Sequence, residues 1–387
     1  MTAKDATPPN RSGYRRTLHF LAILLALSTF VLIGFGGHVT SLDAGLAVPD
    51  WPGTFGYNMF LAPLEVWFHD IGTFWEHSHR LIGSWVGFLT LLLGTGLAIW
   101  APKPWLRWLG IPMIILVITQ GVMGGLRVTE QSQPLAALHG VVGQVFFGIV
   151  IFTVVATGAL WTTAKRRPAN QPKAVGEKLA TFFSWALVGI LIAQLGIGAS
   201  VRHFGAEKAI PDAPLSYGAL MAPMNQAQLD TAILDLPDHL INRVPIDTTI
   251  GQVHLHFTHR FMAVIVILSA FFAAWAILAG LRQKAIVTAP LVNVASLMAA
   301  QIMLGIMTVW AEIHPTFATM HQSLGALLLA ASVWLAARVT IASSLAHPTT
   351  IKQIQPPQSN SDNPSTHHDP ASHNGHTQPS LQTTGGA

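Results

Sequence analysis

The chain of 387 residues has no cysteine. Disulfides, thiolate metal sites and thioether-attached prosthetic groups are excluded with it. Charge is scarce as well: Asp, Glu, Lys and Arg make up 10% of the residues, against roughly 25% in a soluble domain. With 51% hydrophobic residues and a mean hydropathy of +0.47, the composition is that of a polytopic membrane protein, and no nucleic-acid partner is expected. Without thiolates, histidine is the one strong soft-metal ligand type present in number, with methionine a weaker one.

Eight apolar stretches lie near 18–37, 74–100, 109–127, 135–161, 180–201, 254–280, 286–310 and 317–341. Each can cross a bilayer, which takes about 20 residues. Basic residues occupy every second connection. Arg11, Arg15 and Arg16 precede the first span, Lys103 and Arg107 follow the second, and Lys165, Arg166, Arg167, Lys173 and Lys178 follow the fourth. Arg282 and Lys284 follow the sixth, and Lys352 the eighth. The alternate loops hold acids such as Asp50, Asp70, Asp212 and Asp235. By the positive-inside rule both termini are cytoplasmic. The first span is too long, and Gly36-Gly37-His38 too poor a cleavage site, for a signal peptide.

Four histidines, His79, His139, His259 and His321, each open one of the long apolar runs. An imidazole in a hydrocarbon layer is costly unless it binds something. Their local strings repeat. Glu76-His77-Ser78-His79-Arg80 matches His256-Phe257-Thr258-His259-Arg260 at a shift of 180, and Leu138-His139-Gly140 matches Met320-His321-Gln322 at 182. Gly36-Gly37-His38-Val39 matches Gly198-Ala199-Ser200-Val201, and Pro49-Asp50-Trp51-Pro52 matches Pro211-Asp212-Ala213-Pro214, both at 162. Gln120 and Gly124 match Gln301 and Gly305 at 181. The step from 162 to 180 assigns 18 extra residues to the second long outer loop.

The expected fold is therefore all-α, with eight transmembrane helices as two parallel-repeat four-helix bundles. The organisation reads as an N-terminal cytoplasmic segment 1–17, a bundle 18–161, a basic cytoplasmic linker 162–179, a second bundle 180–342 and a disordered cytoplasmic tail 343–387. The tail is rich in Pro, Ser, Thr, Gln and Asn, and its His367, His368, His373 and His376 could bind metal loosely. All four span histidines fall at the outer face, two per bundle. Two facing histidines suit both axial positions of a planar metal macrocycle. Zinc would want three or four ligands converging on one point. Two pairs mean two ligands, or one ligand and one substrate.

Several neighbours carry two readings. Glu76, three residues before His79, shares its helix face and could act as a base or orient the imidazole, or could cap the helix start. The second half has His256 in its place. His77, His254 and His256 read as interfacial groups. Arg80 and Arg260 could pair with acidic groups of a ligand such as haem propionates, or could snorkel or meet the outer loop. Gln120, Gln144 and Gln301 suggest interhelical hydrogen bonds, and Gly121, Gly124, Gly125, Gly140 and Gly143 suggest close approach of helices or of a porphyrin face. The loop from Leu46 to Phe60, rich in aromatics, Pro and Gly, reads as a structured cap or as interfacial anchoring.

Across residues 15–342 these strings resemble the haem A synthase family, whose E-x-x-H-R motif is met by Glu76-His77-Ser78-His79-Arg80. The resemblance implies a membrane oxidoreductase that converts the C8 methyl of haem O to the formyl of haem A, by successive hydroxylation and loss of water, for terminal oxidase assembly. It implies that His259 and His321 are axial ligands of a resident haem b, that His79 and His139 flank the substrate haem, and that Glu76 is catalytic. It places the chain in a bacterial-type cytoplasmic membrane, or the mitochondrial inner membrane of a eukaryote. Haem O synthase, oxidase assembly factors, an electron acceptor and a second copy of the chain are the partners it allows. Some members carry a cysteine pair in an outer loop; this chain does not, so no thiol-based step operates here. The alternatives are a bis-histidine two-haem electron carrier of cytochrome b type and a small-molecule transporter. Glu76 in one half only favours the enzyme over the carrier.

Overall fold

The computed structural model describes residues 11–164, 166–168 and 171–345. The first ten residues, Lys165, Lys352 and the histidines of the C-terminal tail lie outside them. Eight helices among the described residues are long and apolar enough to cross a membrane. They are α1 (Arg11–Ser41), α2 (Ile71–Trp100), α3 (Pro104–Thr129), α4 (Gln133–Thr157), α5 (Val175–His203), α6 (Ile250–Gly280), α7 (Thr288–Trp310) and α8 (Pro315–Ala342). Even α7, with 23 residues, is about 35 Å long, against a hydrocarbon core of about 30 Å.

Most helices outrun the apolar stretch that announces them, because capping groups set their ends. Helix α2 starts at Ile71 because the Asp70 carboxylate accepts from Thr73 N. Ser132 does the same for α4, and Thr249 with Gln252 forms a capping box for α6. Two ends fall short: α7 begins at Thr288 rather than near 286, behind a 3-10 turn at Lys284–Ile286, and α4 is expected to run to 161 but ends earlier. It stops at Thr157, where Gly158 turns extended, and a short helix, Ala159–Thr163, follows.

In the first half α1 packs on α2 and α4, and α3 packs on α2 and α4. In the second, α5 packs on α6 and α8, and α7 packs mainly on α8. The halves meet through α4 against α5, α1 against α8, and α4 against α8. Each half has its own apolar core, one around Leu25, Leu89, Leu93 and Phe147, the other around Leu187, Ile277, Leu329 and Val339. Ala326 of α8 belongs to the first core, which joins the two. Helix α8 is central, with 67% of its apolar window buried; α7 is peripheral, with 6%. Small residues such as Ala326, Ala336 and Ala337 let neighbours approach α8 closely.

The linker is stitched to the end of α8. Arg167 donates to both carboxylate oxygens of Glu177 at 2.9 Å, its backbone N–H bonds Ser344 O, and Arg166 bonds the Ser344 hydroxyl. Residues 343–345, expected to begin the tail, are thus held by the linker. On the opposite end, the first long loop contains a two-stranded hairpin, Gly53–Thr54 against Tyr57–Asn58. The second contains two short helices, Gln226–Leu234 and Asp238–Ile241, in the region of the predicted insertion.

The absence of cysteine permits a direct test of topology. Asp235 and Lys284 are both exposed, at opposite ends of α6 in the chain. In spheroplasts, a membrane-impermeant maleimide should label Asp235→Cys at once and Lys284→Cys only after permeabilisation. The opposite pattern would invert the assignment of both termini.

Candidate functional site

The four histidines are built into one repeated contact. A Cβ added to Gly36 on α1 would lie 2.9 Å from Cε1 of His79 on α2. The same distance is 3.2 Å from Gly124 on α3 to His139 on α4, 3.0 Å from Gly198 on α5 to His259 on α6, and 3.1 Å from Gly305 on α7 to His321 on α8. Each ring therefore lies on the backbone of the preceding helix, in space that any side chain would fill. In every pair Nδ1 is nearer the glycine than Nε2. The Nδ1 atoms of His79, His139 and His321 are buried without a hydrogen bond of standard geometry. Their rings interact with the carbonyls of Leu32, Gln120 and Gln301, each four residues before the seat glycine. A proton directed to that carbonyl leaves the Nε2 lone pair free for a metal.

The residue four before the remaining seat is Gln194. Its Nε2 donates to His259 O at 3.0 Å and lies 3.2 Å from His259 Nδ1. Gln301 Nε2 lies 3.4 Å from His321 Nε2. The rings of His259 and His321 face each other with centroids 6.5 Å apart at 78°. Two metal–nitrogen bonds of about 2 Å, with each ring's centre-to-nitrogen distance added, reach about 6 Å. The separation suits one metal ion held from both sides.

Glu76 is buried and fully engaged. Val48 N donates to Oε2 at 2.8 Å, and Arg80 Nη2 donates to Oε1 at 2.8 Å. Capping the helix falls to Asp70 instead, six residues earlier. Arg80 also donates to the carbonyls of Asp50 (2.6 Å), Gly53 (3.0 Å) and Val48 (2.7 Å). Four of its five N–H groups are thereby committed to the loop and Glu76. Arg260 repeats the pattern on Asp212, Leu215 and Ile210. Both arginines meet the outer loop, the second of their two expected roles, and this leaves little of either guanidinium for a ligand.

The loops themselves repeat. The Asp50 carboxylate accepts from Phe55 N and Gly56 N, and Asp212 accepts from Tyr217 N and Gly218 N. Gly56 and Gly218 have φ of +80° and +77°, a turn that glycine adopts without strain. Burial alone would raise the Asp50 carboxyl; the Gly56 and Phe55 N–H groups and the nearby Arg80 outweigh it and hold the group below its ordinary value. Trp51 packs against α3 at Gly125, where no Cβ would fit. The loop 46–60 is a structured cap.

Other expectations divide. His77 pairs with Thr54 Oγ1 at 3.0 Å and His254 with Pro223 O at 2.9 Å, so both serve the loops. His256, in the place of Glu76, is buried with Nδ1 unpartnered. Interhelical hydrogen bonding does not account for Gln120 or Gln144, since Gln120 Nε2 and Gln144 Oε1 are buried without partners. Helix packing does not account for Gly121 or Gly140, where a Cβ would meet nothing within 4 Å. Sequence reasoning missed Gln194 and Arg127. Arg127 had a signal: it is a cation at the end of α3 opposite Lys103 and Arg107, against the expected charge pattern of the loops.

A family model described as cytochrome oxidase assembly protein matches residues 19–333, which include Glu76 and all four histidines. The chain is 25% identical to a protein named heme A synthase from Hyphomonas neptunium, over 92% of this chain and 100% of that protein. It is 26% identical to one of the same name from Rhizorhabdus wittichii, over 86% and 96%. With another from Symbiobacterium thermophilum it shares 28% identity over 52% and 65%.

Substitutions at the clamp and at the glycine seats test the construction. Arg80→Ala removes one partner of a buried pair, which costs roughly 3–5 kcal/mol. The variant should melt lower in detergent and be cut faster by protease within 46–60, and an unchanged loop would show that the clamp is dispensable. Gly198→Ala or Gly305→Ala should displace His259 or His321 by a few tenths of an ångström, with overpacking costing about 1–3 kcal/mol. The absorption spectrum of a group bound to those rings should shift, whereas Gly121→Ala should leave it unaltered.

Proposed function

Because the chain belongs to the cytochrome oxidase assembly protein family, we infer that it is a multi-pass enzyme of the cytoplasmic membrane that oxidises a methyl group of haem O to the formyl group of haem A. Its relatives named heme A synthase support the reading. The observation that carries it is the pair of histidine sites built alike on glycine seats, only one of which has a buried carboxylate beside it.

The residues fit a resident haem b in the second half. His259 and His321, whose ring centroids lie 6.5 Å apart, would hold its iron. Bound there, haem b supplies a one-electron redox centre. Gln194 and Gln301 lie against these two rings and hold their orientation. In the first half, His79 and His139 flank the substrate. Conversion of the methyl consumes one water and releases four protons and four electrons in all. Glu76, fixed by Val48 N–H and Arg80, provides a carboxylate that accepts a proton or stabilises positive charge developing at the carbon. The cap over this end excludes bulk water, which strengthens that electrostatic help. Both termini are cytoplasmic on this reading, with the site at the outer face. A two-haem electron carrier would use the same histidines but has no use for a carboxylate in one half alone.

Expression in a host that makes haem O but no haem A, followed by analysis of extracted haems, is the test. The wild-type chain should yield haem A. Glu76→Gln should retain haem b and lose product by about 10²-fold or more. His259→Ala and His321→Ala should lose haem b. A folded, haem-loaded wild-type protein that yields no haem A would leave the electron carrier.

A further inference from the structure

Arg127 is a charged residue that nothing above employs. It lies in the last turn of α3, and its guanidinium rests on Gly45, where a Cβ would be 3.0 Å from Nη2 and 3.2 Å from Nη1. Its hydrogen bond is a long one, Nη2 to Gly45 O at 3.3 Å. No carboxylate among the described residues lies within ion-pair distance of it. Glu76, the nearest candidate in charge terms, is already held by Arg80 and Val48. Yet Arg127 is partly buried and acts electrostatically on His79, His139 and His203. A guanidinium with five donors, one weakly used, beside the first histidine pair, matches the fork geometry that recognises a carboxylate.

A cation at a helix C-terminus is favoured by the helix dipole, and that is the plain alternative. The repeat argues against it as sufficient. The counterpart of Arg127 at a shift of 181 is Thr308, whose hydroxyl bonds Leu304 O within its own helix at 2.7 Å. Helix α7 has no cation in its own last turn; Arg243 reaches its Trp310 O from the second long loop at 3.5 Å and pairs with Glu312 at 3.2 Å. Helix α3 closes through its own backbone, Glu130 N to Leu126 O. A cation built into the helix itself belongs to the half that also holds Glu76. Arg80, which follows His79, is committed to the loop.

We propose that Arg127 anchors a carboxylate of the substrate, a propionate of haem O, and so makes the first half selective for the acid form of the macrocycle. The proposal rests on the assignment of haem O to the His79 and His139 pair. It concerns recognition, and it can fail while that assignment stands.

The experiment uses the full-length protein with its resident haem in detergent, titrated with haem O and with haem O dimethyl ester, and followed by absorbance. Wild type should bind the diacid about 10- to 100-fold more tightly than the ester, the range for a hydrogen bond to a charged group. Arg127→Met should bind both alike, at the wild-type affinity for the ester, with resident haem content unchanged. Arg127→Lys should restore part of the preference. Equal wild-type affinities overturn the anchor without recourse to any variant, and so does a preference that survives Arg127→Met. A wild-type protein that discriminates acid from ester but never converts bound haem O keeps the anchor and removes the proposed reaction.

Discussion

Everything at the histidine-bearing end of this protein depends on imidazole rings lying directly on helix backbone. A glycine on one helix leaves the space, and the histidine of the next helix fills it. Four such contacts, Gly36–His79, Gly124–His139, Gly198–His259 and Gly305–His321, fix the spacing of α1/α2, α3/α4, α5/α6 and α7/α8. In each of them Nδ1 is the ring nitrogen nearer the seat, and the rings of His79, His139 and His321 interact with the carbonyl four residues before it. The connections fit this geometry. Helices α3/α4 and α7/α8 are joined by short turns with left-handed residues Gln131, Glu312 and Ile313. Helices α1/α2 and α5/α6 are joined by long loops that return to cover the same end.

Those loops are tied down by the residue that follows the histidine. Arg80 and Arg260 each take three loop carbonyls, so a ring on its seat and a loop over it are set by adjacent residues of one helix turn. A single turn of α2 therefore carries seated ring, clamp and carboxylate, since Glu76 lies one turn before Arg80 on the same face. In α6 the carboxylate is replaced by His256, and the clamp survives without it. The ion pair is thus not required for the clamp, and Glu76 needs a different explanation.

The eight helices and the pairing of the histidines were legible because hydropathy and a repeat of about 180 residues are properties of side chains in order. Helix ends were less so. The stop at Thr157 is set by the extended backbone of Gly158, in a run that stays apolar to Trp161. The partners of Arg80 were hidden because they are carbonyls, which every residue possesses. The seats were half visible: Gly36 and Gly198 stand in matched strings, but nothing in a string says that a glycine faces a ring two helix-ends away. Gln194 was hidden by the same symmetry, because its counterpart is Leu32 and a search for repeats passes over what does not repeat.

The positions that break the repeat separate the two halves by what stands beside the histidine rings. The second half places Gln194 and Gln301 against its rings and has Thr308 bonded within its own helix. The first half has Leu32, open space at Gly121 and Gly140, and Arg127 with one long hydrogen bond. A cation in a low-dielectric corner without an ion-pair partner destabilises the empty protein. A molecule that brings its own carboxylate removes that penalty on binding and restores it on leaving. A site that must hold its ligand permanently gains from being complete beforehand; a site that must take up and release a substrate gains from being incomplete until the substrate arrives. On this reading the departures from symmetry at 32/194, 76/256 and 127/308 serve one division, between a half that keeps its haem and a half that changes one.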